Sequence, residues 1–465
     1  MSIKLTFLGA AENVTGSRYL LETDKARVLV DCGLYQERDL KARNWAPFPV
    51  PPPSLDAVLL THAHLDHCGY LPRLVRDGFK GNVVGTAATG EIAKIVLMDS
   101  AKLQEEDAAF KRKRHAAENR QGPHPEEALY TAADVEACCS HFAPVAYGRP
   151  AEVAPGIQAT FAEAGHILGS ASIHVRAGGR TIVFSGDVGR WDRPILRDPA
   201  LCPPADYILV ESTYGDRVHE NTDRIADDLC AAVCDTRRRG GNLVIPSFAI
   251  ERAQEVLYYL NDLLHQNRIP HMMVFVDSPM AVGVTRVFER HDELVDEAMT
   301  RLVRDQQSPF HFPGLTMVAT VDESKAINHI AGTVAVLAGA GMCTGGRIKH
   351  HLANNISRPE STILFVGYQA TGTLGRLILT GVNPVRILGQ SFPVRAKVVQ
   401  IPGFSGHADR NELRRWLSGV GKEAPRRVFV THGEPESAAS FANLLHTEQG
   451  WPVTVPKYGE TFALE

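Results

Sequence analysis

His62-Ala63-His64-Leu65-Asp66-His67 follows directly on the apolar run Ala57-Val58-Leu59-Leu60. The run reads as a short strand, and the six residues after it place three imidazoles and one carboxylate at the strand's end. Such crowding is costly unless a divalent ion organises it. A borderline set of nitrogen and oxygen donors suits zinc, with manganese the alternative. A two-metal hydrolase is therefore the first expectation.

The same grammar, an apolar strand followed by His or Asp near a Gly, recurs along the chain. Asp31 follows Val28-Leu29-Val30, His166 follows an apolar segment at 157–164, Asp187 follows Ile182-Val183-Phe184-Ser185-Gly186, and His432 follows Val428-Phe429-Val430-Thr431. Side chains at the carboxyl ends of adjacent strands share one edge of a sheet, so these residues can converge although far apart in sequence. Taken singly, His166 or His432 reads as an ordinary core or surface histidine and Asp187 as a turn former. The cluster at 62–67 resists such an explanation and fixes how the others are read.

A chain of 465 residues exceeds the size of a single growing core, so two or more compact units are expected. A net charge of -4 gives no global attraction to nucleic acid, and any polyanion site has to be local. The eight cysteines, at 32, 68, 138, 139, 202, 230, 234 and 343, form no CxxC pair, which fits reduced thiols and a cytoplasmic location. The N-terminal residues read as a strand rather than a signal peptide. No run approaches ~18 apolar residues, so no membrane partner is expected.

Up to residue 210 the pattern is one of short strands, at 4–8, 19–22, 27–30, 57–60, 82–84, 157–162, 172–176, 181–185 and 207–210. A long helical stretch from Thr89 to about Cys139, interrupted near Gly122-Pro123, carries the basic run Lys111-Arg112-Lys113-Arg114, read as a solvated face. Beyond Tyr214, apolar strands at 243–245, 273–276, 333–337 and 362–366 alternate with helix-length segments at 249–264 and 279–289, the mark of a parallel, doubly wound sheet. After Arg395 short strands ending in His-bearing turns return, at 397–401 before His407 and 427–430 before His432. The expected organisation is a first domain over 1–213, an insert over 214–388, and completion of the first domain over 389–465.

This arrangement resembles the metallo-β-lactamase superfamily, whose HxHxDH box, later His, later Asp and final His build a binuclear zinc site. The resemblance implies a four-layered αββα sandwich and two zinc ions per chain. It places one on His62, His64 and His166 and the second on Asp66, His67 and His432, with Asp187 bridging and Asp31 supporting a ligand imidazole. Two metals ~3.5–4 Å apart would lower the pKa of a shared water that acts as nucleophile.

The insert resembles the β-CASP domain of RNA-processing nucleases, a Rossmann-like unit. Glu211-Ser212-Thr213-Tyr214-Gly215-Asp216, Pro246-Ser247-Phe248-Ala249-Ile250-Glu251-Arg252-Ala253-Gln254-Glu255, Gly341-Met342-Cys343-Thr344-Gly345-Gly346-Arg347, Gly367-Tyr368-Gln369-Ala370-Thr371-Gly372-Thr373-Leu374-Gly375-Arg376 and Phe404-Ser405-Gly406-His407-Ala408-Asp409 carry the match in family order. The family's three further motifs fall on Glu211, His407 and His432. Asp66, Glu211 and His407 are accordingly the catalytic candidates. His407 would protonate the leaving alkoxide and Glu211 would orient it and keep it charged. RNA-directed members resemble this chain in having His at 432, where the DNA cross-link repair branch has an aliphatic residue.

Ser405, Gly406 and Thr373 are candidates for phosphate contacts. The glycines at 339–341 and 345–346 depart from GxGxxG and read as a tight strand-to-helix turn whose N–H groups can face phosphate.

Long family members add C-terminal dimerisation domains or N-terminal KH domains, which this chain is expected to lack. It resembles compact bacterial members, nearer to the pre-mRNA 3′-end-processing endonuclease subunit than to ribonuclease J. The implied function is zinc-dependent endonucleolytic cleavage of single-stranded RNA to 3′-hydroxyl and 5′-phosphate ends, by a chain that could form homo-oligomers. The alternatives are a 5′-exoribonuclease, a small-molecule metallohydrolase, which leaves Glu211, His407 and the insert unexplained, and a non-catalytic RNA-binding scaffold, against which the complete ligand set argues.

Overall fold

Alternate residues Ile3, Leu5 and Phe7 are buried in strand β1 (Ile3–Phe7), the period-two pattern of a sheet with one face on a core. It opens a series made of β2 (Tyr19–Glu22), β3 (Arg27–Val30), β4 (Ala57–Leu59), β5 (Asn82–Thr86), β6 (Phe142–Val145), β7 (Ala151–Ala154), β8 (Ile157–Glu163), β9 (Ala171–Ala177), β10 (Arg180–Phe184) and β11 (Tyr207–Glu211). Then come β12 (Leu243–Pro246), β13 (Met273–Asp277), β14 (Leu315–Met317), β15 (Val334–Ala338), β16 (Thr362–Phe365), β17 (Val385–Ile387), β18 (Gln390–Phe392) and β19 (Lys397–Gln400). The chain closes with β20 (Arg427–Thr431), β21 (Val453–Thr454) and β22 (Thr461–Leu464). This computed structural model describes residues 3–120, 126–219 and 222–465.

The chain divides into two compact units. The first comprises Met1–Asp192, Arg197–Val218 and His407–Glu465, and the second Arg193–Leu196 and His219–Gly406.

The first unit holds two seven-stranded sheets, ordered β22-β1-β2-β3-β4-β5-β6 and β21-β20-β11-β10-β9-β8-β7. Leu5, Phe7, Val28, Val30 and Leu59 of one sheet meet Phe161, Val175, Ile182, Leu209 and Phe429 of the other in a single core. The Phe7 and Phe429 ring centroids lie 5.1 Å apart. Each such fully buried ring stabilises the unit by about 1.5–3 kcal/mol relative to exposure. Outside the second sheet, Val183, Ile208, Val210 and Val430 pack against Leu413, Trp416, Phe441 and Leu445 of helices Arg410–Leu417 and Pro435–Gln449. Helix Ala87–Glu118 lies on β5 and β6 of the first sheet. The result is the four-layered αββα sandwich.

Strand directions decide where loops gather. β3, β4, β5 and β6 are parallel, as are β10, β11 and β20. β8 and β10 are both antiparallel to β9 and so run the same way. The carboxyl ends of β8, β10, β11 and β20 therefore share one edge of their sheet.

The long helical region is two helices. Ala87–Glu118 starts at the Thr86 cap and ends at Asn119 in the left-handed conformation, and Ala132–Cys139 starts at a capping box formed by Thr131 and Asp134. Gly122 and Pro123, where the sequence reading interrupts the helix, lie outside the described residues. Lys111, Arg112, Lys113 and Arg114 are all exposed on the first helix.

The second unit is a six-stranded parallel sheet, ordered β14-β13-β15-β12-β16-β19, with helices such as Arg252–His265 and Pro279–Arg290 between strands. Two features differ from the sequence reading. Residues 397–400, expected to resume the first domain, are the edge strand β19 of this sheet, paired in parallel with β16. The chain returns to the first unit at His407, not at 389. The short strand β14 and the hairpin β17–β18 were also absent from the periodicity, each having only three residues.

Candidate metal centre

Every ligand candidate follows the carboxyl end of a strand of the sandwich, on a loop or, for Asp66 and His67, on the helical turn Leu65–Cys68. The segment 61–67 after β4 is held by the segment after β3. The N–H of Cys32 donates to the His67 carbonyl at 2.7 Å, and that of Leu34 to the Leu65 carbonyl at 2.9 Å. Between them Gly33 lies so close that a Cβ there would come within 1.6 Å of the Asp66 carbonyl oxygen, so only glycine permits this approach.

Asp31, fully buried, accepts from the Thr61 N–H at 2.8 Å and the Thr61 hydroxyl at 2.8 Å, and stands 2.7 Å from His67 Nδ1. His67 therefore donates from Nδ1 and directs its Nε2 to the site. The Thr61 oxygen is also 3.0 Å from His62 Nδ1. Because its proton goes to Asp31, it accepts from His62, whose Nε2 becomes the donor atom toward a metal. Asp31 and His432 both hold positive φ, 59° and 48°, a strained conformation that persists where surrounding structure enforces it.

His62, His64, His166 and Asp187 form one group whose donor atoms lie within 4.8 Å of one another. His64 Nδ1 is 3.1 Å from both His62 Nε2 and His166 Nε2, and Asp187 Oδ2 is 3.4 Å and 3.5 Å from those two nitrogens. Asp66, His67 and His432 form a second group. His67 Nε2 is 3.1 Å from His432 Nε2, which is 3.6 Å from Asp66 Oδ2. Asp187 Oδ1 reaches into this group as well, 3.3 Å from His67 Nε2 and 3.5 Å from His432 Nδ1. Asp187, Glu211 and His407 make a third. His407 Nδ1 lies 3.3 Å from Glu211 Oε2 and 3.9 Å from Asp187 Oδ2. Glu211, fully buried, accepts from the Val188 N–H at 2.6 Å.

These donor sets fit divalent ions. Tetrahedral zinc with bonds of about 2.0–2.1 Å sets neighbouring ligand atoms roughly 3.3 Å apart, close to the nitrogen separations in both groups. Asp187 Oδ1 is buried without a hydrogen-bond partner among these imidazoles, an atom that a cation would satisfy.

The imidazoles differ in charge preference. Burial pushes His62 down to about 3 and His64 to about 4, and His166 well below the usual histidine range. All three are neutral donors at pH 7. Burial also opposes protonation of His67, but Asp187 and Asp31 outweigh it and raise it well above the usual value. His432 is raised too, with Asp187 and Asp66 overcoming burial. For His407 burial is outweighed by the charge and hydrogen bonding of Glu211, which bring it up to about 9. Asp66 and Asp187 resist burial and stay well below the carboxylate range, held by His432 and His67.

The structure thus brings Asp31, His62, His64, Asp66, His67, His166, Asp187, Glu211, His407 and His432 together. Thr373 belongs to the second unit, where its hydroxyl accepts from the Arg376 N–H at 3.2 Å and donates to the Ala370 carbonyl at 2.7 Å as a helix cap. Ser405 and Gly406 are the last two residues of that unit. Sequence reasoning missed Thr61, and also Thr213, whose hydroxyl stands 3.2 Å from His432 Nδ1. Only the position of Thr61, between an apolar strand and His62, hinted at its role.

A metallo-β-lactamase sandwich whose edge gathers this donor set defines a metal-dependent hydrolase. Family models match in chain order: the metallo-β-lactamase superfamily over residues 13–216, the β-CASP domain over 253–378, and the Zn-dependent metallo-hydrolase RNA specificity domain over 391–456. Ribonuclease TTHA0252 of Thermus thermophilus is 40% identical over 98% of this chain and 99% of that protein. Transcription termination factor FttA of Methanocaldococcus jannaschii is 31% identical over 95% of this chain and 69% of that protein. A crystal structure from Enterococcus faecalis, described as a protein of unknown function, covers the whole chain with a TM-score of 0.56 at 11% identity, a likeness of fold alone. The chain belongs to the β-CASP family of the metallo-β-lactamase superfamily.

Proposed function

We propose that this protein is a zinc-dependent ribonuclease that cuts single-stranded RNA internally, leaving 3′-hydroxyl and 5′-phosphate ends. The observation that carries the proposal is the His407–Glu211 pair, 3.3 Å apart, set against the Asp187 carboxylate that reaches both ligand groups. The names of the Thermus relative and of the RNA specificity domain support the choice of RNA. In this assignment His62, His64 and His166 hold one zinc and Asp66, His67 and His432 the second, with Asp187 shared and manganese the alternative metal. Such ions, when bound, lower the pKa of water and neutralise charge developing on phosphate oxygens.

The remaining work falls to side chains. Asp31 fixes the His67 tautomer and ring orientation. Glu211, anchored by the Val188 N–H, faces His407 Nδ1 and keeps the ring protonated at neutral pH. Nε2, on the opposite edge of that ring, is the atom that gives its proton to the leaving 3′-oxygen. Ser405 and Gly406, directly before His407, are the proposed phosphate contacts, with Thr373 a further candidate. Eight unpaired cysteines suit the reducing cytoplasm, where we place the protein. No helix among the described residues is long and apolar enough to cross a membrane.

The test is incubation of zinc-loaded protein with RNA labelled internally and at one end, beside identical DNA and a His67→Ala control. Internal cuts in RNA alone, absent in the control, are expected. Mononucleotides released from the 5′ end would move the enzyme to the exonuclease class, and no cleavage by protein carrying its zinc would refute the proposal. His407→Ala is expected to lower kcat by about 10²–10⁴ with zinc content unchanged. An unaltered rate would remove the general-acid role.

A further inference from the structure

In the second unit, two aromatic rings stand exposed at the carboxyl ends of neighbouring strands. Phe248, just beyond β12, is 38% exposed, and Tyr368, just beyond β16, is 53% exposed. Among the described residues of this unit they are the exposed phenylalanine and tyrosine. β12 and β16 are hydrogen-bonded partners, and β12 also pairs with β15. Phe248 therefore emerges between the loop after β15 and the loop after β16.

Glycine forms the floor under that ring. A Cβ at Gly341, in the loop after β15, would meet three adjacent atoms of the Phe248 ring at 2.8, 2.9 and 3.0 Å. Near-equal distances to three ring atoms mean approach over the face, because approach to the edge would favour one atom. A Cβ at Gly367, which immediately precedes Tyr368, would stand 3.3 Å from the same ring. Glycine at 341 and 367 thus lets both loops pack against Phe248, which still keeps 38% of its surface exposed. Gln369, itself buried, braces both loops by donating from Nε2 to the Gly341 carbonyl at 3.0 Å and the Gly367 carbonyl at 3.3 Å.

The acidic groups next to these loops, Glu251 directly after residue 250 and Asp277, are buried. Residues 246–250, 339–350 and 367–376 contain no Asp or Glu, and they carry Arg347, Lys349 and Arg376. Arg347 is committed to the buried Asp277 at 2.6 Å, which leaves Lys349 and the exposed Arg376 as the cations for a polyanion.

A braced, glycine-floored ring beside a second exposed ring, at the edge where open parallel sheets bind ligands, lacks the shape of a core. We propose that Phe248 and Tyr368 form a stacking platform for the bases of single-stranded RNA, with Lys349 and Arg376 meeting its phosphates. This rests on the RNA-hydrolase proposal for the choice of polymer. Single strands expose base faces that duplex hides, and stacking tolerates any base. Affinity supplied here would be insensitive to sequence.

Full-length, zinc-loaded protein would be titrated into a fluorescein-labelled, phosphorothioate-linked single-stranded RNA, with anisotropy as the readout. Tyr368→Ala and Phe248→Ala should each weaken binding about 5- to 100-fold, the range for loss of one stacked base. Tyr368→Phe and Phe248→Tyr should bind as the parent does, and hydrolysis of bis(p-nitrophenyl) phosphate should be unchanged in all four. Tyr368, more than half exposed, keeps the test open if Phe248→Ala does not fold. Parent-like binding by folded Tyr368→Ala would overturn the platform. Ring-dependent binding by a protein that cuts no RNA would uphold the platform while refuting the ribonuclease proposal.

Discussion

His62, His64 and His166 are held neutral at the edge of the sandwich, whereas His67 and His432, a few ångströms away, are drawn toward the protonated form. Both sets are buried, so burial alone does not separate them. Carboxylates do. Asp187 borders both, but Asp31 sits on His67 and Asp66 on His432. One group is a set of lone pairs already free of protons, and the other is a set of imidazoles whose countercharges are in place before a cation arrives. Neighbouring sites built from the same residue types can thus bind the same metal under different proton competition.

Removing the shared carboxylate is the most severe way to break this comparison. Asp187→Ala should weaken both ions by more than about a hundredfold, beyond the loss of a supporting partner, and reduce RNA cleavage to background. Zinc content by elemental analysis checks it, and two retained zincs would show that Asp187 is not shared. Asp31→Asn sharpens the comparison because Asp31 meets His67 directly and reaches His62 only through the Thr61 hydroxyl. A loss of about 10–100-fold in affinity is expected for the zinc on His67, with a smaller loss for the other. A chelator titration should turn biphasic, and equal weakening of both ions would count against the distinction.

Acidification should give the smallest and most graded effect. His67 and His432 have raised pKa values, so metal must displace protons there as pH falls, and that ion should leave first. His62 and His64, at about 3 and about 4, take up protons only at lower pH and should keep their ion longer. Loss in the opposite order would reverse the comparison. In metal-free protein the same shifts act on folding with opposite signs. The raised pair adds stability below about 6.5 that disappears as pH rises through the folded values. The lowered pair adds stability above about 6.5 that is lost as pH falls toward 4 and 3.

The sandwich was legible because its strands are short, apolar and punctuated by turn residues, and because the box at 62–67 crowds its donors into one loop. The insert was legible where strand and helix alternate. Residues 397–400 were assigned to the wrong unit for a physical reason. β19 is an edge strand with two half-buried valines between exposed Lys397 and Gln400, and so short a pattern does not say which sheet will pair with it. Thr61 and Thr213 escaped notice because a hydroxyl gains its role only from what lies within 3 Å or so of it.

Residue identity and strand-end position fixed the donor inventory and the edge on which it would gather. Which carboxylate meets which imidazole was decided by tertiary structure alone. Asp31 and His67 are 36 residues apart, Glu211 and His407 196 apart, and His67 and His432 365 apart. The proton affinities of these imidazoles depend on distances of a few ångströms set by strand order and register. The face-on packing of Phe248 against Gly341 likewise exists only once β12 lies between β15 and β16, because the chain brings 248, 341 and 367 together solely through that order of strands.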